Sequence, residues 1–400
     1  MSVADPHVLE QTARIDERPA ALFAFLEPLC EAGNLQVIGA EEHGPWRRVL
    51  LEVLAGRPSH ERHFGEFVSL VEELAERWAG TGGDPVLLQK DLTALSLRMI
   101  CAYALGGADS GLVRAEEVVE AFEVVLSADD PTAQRASLAL DYLRATVDRV
   151  IAAHEEDRQN AQGDDRQNAP EDDRSDLIRA LLAARTSPAR IRDTVMVTML
   201  AAHHTTGVAV SWTLHLLARH PEVAERVAAE LDRVLGDRSA PDYGDLRELT
   251  YLDMVLKESM RLCPPGPYGA RETTEDMVLS GADGTTYDIP ARTTVFYPFW
   301  AVHMNPDHWP EPEEFRPERF TPEAVAARSR FAYVPFGVGP RSCEGAGLAM
   351  VEAQLTLAVL LKRFRFRPVA GHEVTPVERF VLWAADDIPM VVTPRAATDS

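Results

Sequence analysis

Residues 336–345 constrain this chain more than any other stretch. They read Phe336-Gly337-Val338-Gly339-Pro340-Arg341-Ser342-Cys343-Glu344-Gly345 and run into an apolar helical pattern from Leu348 to Leu361. One cysteine therefore stands on a glycine-rich loop, two residues after an arginine and just before a helix that must be buried. Gly337, Gly339 and Gly345 let the backbone approach a flat ligand and aim N–H groups at sulfur. A thiolate persists near neutral pH only in positive or hydrogen-bonding surroundings. A lone cysteine is more often simply buried; the ten-residue setting is what argues for ligation here.

The rest of the composition narrows the field. At 400 residues with 46% hydrophobic side chains, the chain can bury a large core. A net charge of −23 without a basic patch argues against a nucleic-acid partner. The four cysteines, Cys30, Cys101, Cys263 and Cys343, are far apart, which argues against a disulfide framework or a zinc site and for a reducing compartment. No apolar run reaches the roughly 18 residues of a membrane span, and the first residues do not read as a signal peptide. A cytoplasmic protein that makes no membrane contact is expected.

Most of the chain carries helical periodicity. Phe67, Leu70, Val71, Leu74 and Trp78 fall on one face of a helix over 64–78. A long apolar helix is predicted from Arg190 to His220, closed by Pro221, and another from Glu222 to Leu235, with Gly236 as its cap. Residues 270–297 change to short β-type runs such as Thr293–Tyr297. Phe380–Trp383 and Met390–Thr393 read as a second β-like piece, joined by the turn Ala385-Asp386-Asp387. Residues 154–176 hold nine acids, three arginines and the repeat Asp157-Arg158-Gln159-Asn160-Ala161/Asp165-Arg166-Gln167-Asn168-Ala169. They cannot bury enough surface to offset their ordering entropy, so a disordered loop is predicted there.

A cysteine set as Cys343 is can serve as a thiolate ligand to haem iron, where electron donation from sulfur favours O–O cleavage. Residues 336–345 match every fixed position of the F-G-x-G-x-R-x-C-x-G loop, and on that ground the chain resembles the cytochrome P-450 family. Three further segments match in the family's order. Glu258-Ser259-Met260-Arg261 resembles the E-x-x-R of the K helix. Trp309 to Phe320 resembles the W-x-x-P-x-x-F-x-P-E-R-F meander. Ala201-Ala202-His203-His204-Thr205-Thr206 stands where A-G-x-[D/E]-T-T is usual. The resemblance covers the chain from about residue 5 onward. It implies a mainly α fold with a small β-rich region, one haem-thiolate domain over 1–400, and haem b as cofactor. The implied reaction is O2-dependent monooxygenation of a small hydrophobic molecule, with electrons from NAD(P)H through a ferredoxin and a ferredoxin reductase. Such members commonly serve secondary metabolism.

The resemblance also implies residue roles. Cys343 would be the axial iron ligand, framed by Phe336 and Gly337. Arg341, Arg271, Arg47 and His43 would meet the haem propionates, since carboxylates favour arginine partners. Pro45 suits the first turn of a helix, so His43 is expected just outside that helix. Glu258, Arg261 and Arg319 would form a structural ionic cluster. Thr205 would help deliver protons to bound oxygen, which is general acid–base work. His204 replaces the usual acid; it could relay protons near neutral pH or point away as a bystander. Phe23, Phe25, Leu26, Met199, Ala202, Tyr268 and Ile388 would line the substrate pocket, although each could equally be core.

Ala4–Glu10 resembles the family's B helix. The A helix and the first strands of the main sheet are therefore expected to be missing, leaving a strand edge exposed. Two alternatives stay open. One is a haem-thiolate enzyme with diverted chemistry, such as peroxide-driven oxidation, oxidative coupling or rearrangement. The other is a degenerate member that binds a partner protein.

Overall fold

The computed structural model describes residues 1–105, 113–126, 134–160 and 177–395, apart from the side chains of Phe25, Leu126 and residues 157–160. Its helices in chain order are α1 (Pro6–Thr12), α2 (Ala40–Leu54), α3 (Arg57–Ala79), α4 (Leu88–Leu105), α5 (Ala115–Leu126), α6 (Gln134–Asn160), α7 (Leu177–Ala183) and α8 (Pro188–Arg219). They continue with α9 (Pro221–Leu235), α10 (Thr250–Leu262), α11 (Phe299–His303), α12 (Pro322–Ala326) and α13 (Ala346–Arg363). The fold is mainly helical, with short strands at its margin.

Helix α8 is the central element. Ser187 caps its start by accepting from Arg190 N, Pro188 sits in its first turn, and His220-Pro221 ends it. Its closest packing is against α4. At Gly207 a Cβ would fall 2.6 Å from Thr93 N, so only glycine lets the two backbones come this near. Helix α13 also packs against α8, and its Leu355, Leu357, Ala358 and Val359 are all buried. The predicted helices over 64–78, 190–220 and 222–235 correspond to α3, α8 and α9. Gly236 at φ 57° caps α9.

The strands are β1 (Val86–Leu87), β2 (Gly269–Glu272), β3 (Met277–Ser280), β4 (Thr286–Ile289), β5 (Thr294–Tyr297), β6 (Phe364–Pro368), β7 (Pro376–Arg379), β8 (Val381–Ala384) and β9 (Pro389–Pro394). They form antiparallel sheets β1-β9-β6, β2-β5, β3-β4 and β7-β8. The C-terminal β runs correspond to β8 and β9; β8 pairs with β7, and β9 lies between β1 and β6. Asp387, at φ 63°, stands between them. Its carboxylate accepts from Gln89 N and Lys90 N at the start of α4.

Three expectations change. Helix α2 begins at Ala40, so His43 lies inside it, and Pro45 is accommodated within the helix. Glu41 and Glu42 in its first turn favour that earlier start by opposing the helix dipole. Residues 1–3 run parallel to β5, with Val3 N donating to Phe296 O and Phe296 N to Met1 O, so that strand edge is covered there. Helix α6 continues to Asn160, so residues 154–160 of the predicted loop are helical; 161–176 lie outside the described residues. Among the described residues, no helix is long and apolar enough to cross a membrane.

Candidate active site

The cysteine loop is a tight backbone turn. Gly337 and Gly339 take positive φ (72° and 67°), which a side chain would strain. Gly337 N donates to Val334 O, Ser342 N to Gly339 O, and Cys343 N to Phe336 O. Gly339 also touches the start of the chain: a Cβ there would overlap Ala13 O. Gly345 needs no special φ, and its backbone N–H lies near enough to the Cys343 sulfur to lower its thiol. The Cys343 side chain reaches open space, although protein encloses it closely. That enclosure pushes its thiol up to about 11, the Glu344 carboxylate adds to the rise, and Gly345 N–H and Arg47 oppose it. A cation bound at the sulfur would favour its thiolate form. Among the described residues, no group of three His, Cys, Asp or Glu side chains could chelate a metal.

Beside the loop lies a cluster of cations. Arg47 donates to Ser342 O (2.6 Å), to Ser342 Oγ (3.0 Å) and to Glu344. Arg341, fully buried, donates from Nε to Asp16 O and Oδ1, from Nη1 to Leu35 O and from Nη2 to Ile38 O. Arg271 donates to Ala270 O (2.7 Å) and Val338 O (3.2 Å). Arg18, which no motif singled out, joins them. Burial lowers Arg18 to about 9 and Arg271 to about 10, with neighbouring guanidinium groups pressing the same way. His43 is buried within 3.1 Å of Asp16, and burial followed by Arg341 holds it down at about 4, hence neutral.

The second constellation is ionic. Glu258 accepts from Arg261 Nε (2.7 Å) and Nη2 (2.8 Å) and from Arg316 N (2.9 Å), and Arg319 approaches it at 3.3 Å. Arg261 also donates to His303 O and Glu314 O, which ties α10 to the meander. Trp309 lies under Arg261 and Arg328, at 5.1 and 3.8 Å.

Near its middle, α8 has a partly open patch. Ala201 is exposed and Ala202, His204 and Thr205 are half-buried, between buried residues 199–200 and 206–215. Thr205 Oγ1 donates to Ala201 O. The rings of His203 and His204 stack at 4.0 Å, and His204 meets Trp383 edge-on at 4.9 Å. Burial lowers His204 to about 4, so its imidazole is uncharged at neutral pH. Glu352 of α13 is buried with its Oε1 unpaired, and burial pushes its carboxyl up to about 8. Glu352 escaped the sequence reading, although a lone acid inside the apolar run 348–361 is itself a signal.

The predicted pocket residues divide. Leu26, Met199 and Ile388 are at most 3% exposed and belong to the main core. Tyr268 is exposed and donates to Glu378 (3.1 Å). Phe23 lies half-buried under Arg18, and the Phe25 side chain lies outside the described residues. Only Ala202 and Phe23 of this group combine apolar character with partial access.

Comparison with known proteins agrees with this arrangement. The family model described as Cytochrome P450 matches residues 112–389. Cyclooctatin synthase of Streptomyces melanosporofaciens is 32% identical over 360 residues, covering 84% of this chain and 74% of that protein. Cytochrome P450 4c3 of Drosophila melanogaster is 37% identical over 208 residues, 51% of this chain and 38% of that protein. Cytochrome P450 3A41 of Mus musculus is 38% identical over 179 residues, 45% and 34% respectively. The chain thus spans well under half the length of these last two relatives. In fold, it superposes on the crystal structure of the cytochrome P450DA heme domain with a TM-score of 0.84, over 99% of this chain and 88% of that chain, at 24% identity. The thiol loop, the ionic cluster behind it and these matches establish that the chain belongs to the cytochrome P450 family.

Proposed function

We propose that residues 1–400 form one haem-thiolate domain that binds haem b through Cys343 and oxidises a small hydrophobic molecule with O2. The carrying observation is the single exposed thiol, presented by a glycine turn whose Gly337 and Gly339 take positive φ. A sulfur ligand with no chelating neighbours suits an iron whose other positions a macrocycle fills. The cation excess beside the loop suits the acidic edge of that macrocycle. When bound, the haem supplies O2 activation and the transfer of one oxygen atom to substrate.

The chain's residues do the rest. Gly345 N–H and Arg47 moderate the charge on sulfur. Thr205 offers a hydroxyl on the partly open face of α8, able to accept or pass a proton there. His204, uncharged at neutral pH, can pass a proton between its two nitrogens but does not store one. Electrons would come from NAD(P)H through a ferredoxin and its reductase. A relative named for making cyclooctatin supports a hydrophobic substrate and a place in secondary metabolism. Because His204 stands where an acid is usual, peroxide-driven oxidation is the second reading.

The reduced chain with carbon monoxide is expected to show the red-shifted Soret band of thiolate ligation. Cys343→Ser should lose that band while the fold remains; its survival would remove Cys343 as ligand. Thr205→Ala should keep the band and lower product formed per electron consumed, by about tenfold or more if Thr205 is the main proton donor. Unchanged coupling would exclude Thr205. Turnover with peroxide but none with NAD(P)H and redox partners would favour the second reading.

A further inference from the structure

We propose that Asp193 is a positioning residue for the Cys343 loop, acting through a strap, residues 31–38, that joins the first turns of α8 to Arg341. This rests on the haem reading above, in which Cys343 is the ligand. The strap is fixed at both ends. At one end Asp193, 2% exposed, accepts three successive backbone N–H groups on one oxygen: Glu31 N (2.6 Å), Ala32 N (2.6 Å) and Gly33 N (3.1 Å). Successive N–H groups that converge in this way form an anion nest. At the other end Arg341 donates from Nη1 to Leu35 O and from Nη2 to Ile38 O, both at 2.9 Å. Arg341 precedes Cys343 by two residues.

Between its ends the strap is stiff. Val37 N and Ile38 N both donate to Asn34 O. The fully buried Asn34 side chain accepts from Gln36 N and donates to Cys30 Sγ. Gly33 takes φ 87°, and a Cβ on it would lie 3.2 Å from Ile38 Cγ2, so the turn closes on itself. Close-packed segments transmit a displacement rather than absorb it. A shift at Asp193 is therefore felt at Leu35 and Ile38.

Magnitudes single out Asp193 among the ties to α8. Arg192 meets Glu31, but the Glu31 side chain is 64% exposed, and such a pair contributes little. The bonds to Asp193 are charge-assisted, and removing the buried carboxylate would strand three N–H groups at once. Helix α8 also carries the open patch at Ala201 and Thr205, about two turns beyond Asp193. One helix thus presents the open patch and, through the strap, steadies the loop that holds the sulfur. Cys30, next to the strap, reports on its opening. Burial and then Asp193 push its thiol up to about 11, with the Asn34 amide opposing, so it should alkylate slowly in the intact chain.

The test compares the haem-loaded chain with Asp193→Asn, with Gly33→Ala and, as control, with Asp148→Asn, whose carboxylate meets Arg192. In urea below the unfolding transition, iodoacetamide labelling of Cys30 is followed by mass spectrometry, the carbon monoxide band by absorbance and helix content by circular dichroism. Asp193→Asn is expected to label Cys30, and to convert the thiolate band to that of neutral thiol, about tenfold or more faster than the unaltered chain. That is the scale of one charge-assisted hydrogen bond. Helix content should not change over that time. Gly33→Ala strains the strap from its own side and should act the same way to a smaller degree; the charge of Asp193 remains there, so faster labelling reports opening alone. Asp148→Asn should match the unaltered chain. A change in either readout without the other, equal rates in both, or band conversion that only accompanies loss of helix would overturn the assignment. If Asp193→Asn does not fold, Gly33→Ala alone decides between these outcomes. An unaltered chain without a thiolate band would instead sink the haem reading.

Discussion

Glu258→Ala is expected to cost about 3–5 kcal/mol of folding stability, because it leaves two buried guanidinium groups without their shared carboxylate. Glu258 and Arg261 are both fully buried, and Arg319 and the Arg316 N–H meet the same carboxylate. A typical domain has about 5–15 kcal/mol in total, so the variant should express poorly or melt far below the unaltered chain. Glu258→Gln keeps the shape and one acceptor but removes the charge, and should be nearly as harmful. Arg319→Gln should be milder, since Arg319 is 9% exposed and only one edge of it faces Glu258. Urea unfolding of the three variants ranks them. A Glu258→Ala protein as stable as the unaltered one would show that Arg261 is held by its backbone partners alone.

Acidification from pH 7.5 to 5 is expected to destabilise the chain strongly. Burial lowers His203 to about 2, His303 to about 3, and His204 and His215 to about 4. An unfolded histidine takes up a proton below about 6.5, whereas these folded ones stay neutral. Each therefore costs nothing above that pH and a growing amount below it, until its folded value is reached. At pH 5 this is about 1–2 kcal/mol per group. Glu352 works the other way: its raised value of about 8 means that acidification relieves it. Burial raises Glu344 too, but it lowers His43 and His60 as well, so lowered histidines outnumber raised carboxyls and the balance stays unfavourable. Thermal melts across this range should fall steadily below pH 6.5. His215→Phe keeps a ring against Trp212 and removes a titrating nitrogen, so its slope should be shallower by one proton. A flat profile, or an unchanged slope in that variant, would mean that the folded imidazoles take up protons as readily as unfolded ones.

Periodicity made the helices legible because burial repeats with the helical turn, as in α3 and α8. The loop around Cys343 was legible because its glycines meet backbone demands that few other residues satisfy. Partnerships between distant segments were not. A guanidinium sequence motif does not say which anion it will meet, and Arg47 pairs with Glu344, nearly the whole chain away. Arg18 belongs to no motif, and it joins the cluster only because α1 and the segment after it fold over the cysteine loop. The partners of β8 and β9 were equally hidden, since Asp387 between them meets α4. Leu26, Met199 and Ile388 are apolar residues that could line a pocket or fill a core, and composition does not separate the two.

The contact between Gly339 and Ala13 sets an order of events during synthesis. Arg341 reaches back to Asp16 in the same place. The frame of the metal ligand therefore needs residues from both ends of the chain, and closing a loop that long is entropically slow. A ribosome-bound chain can form the α4–α8 packing well before residue 339 has emerged. The cofactor would then be the last part to be enclosed, entering a body of helices already assembled.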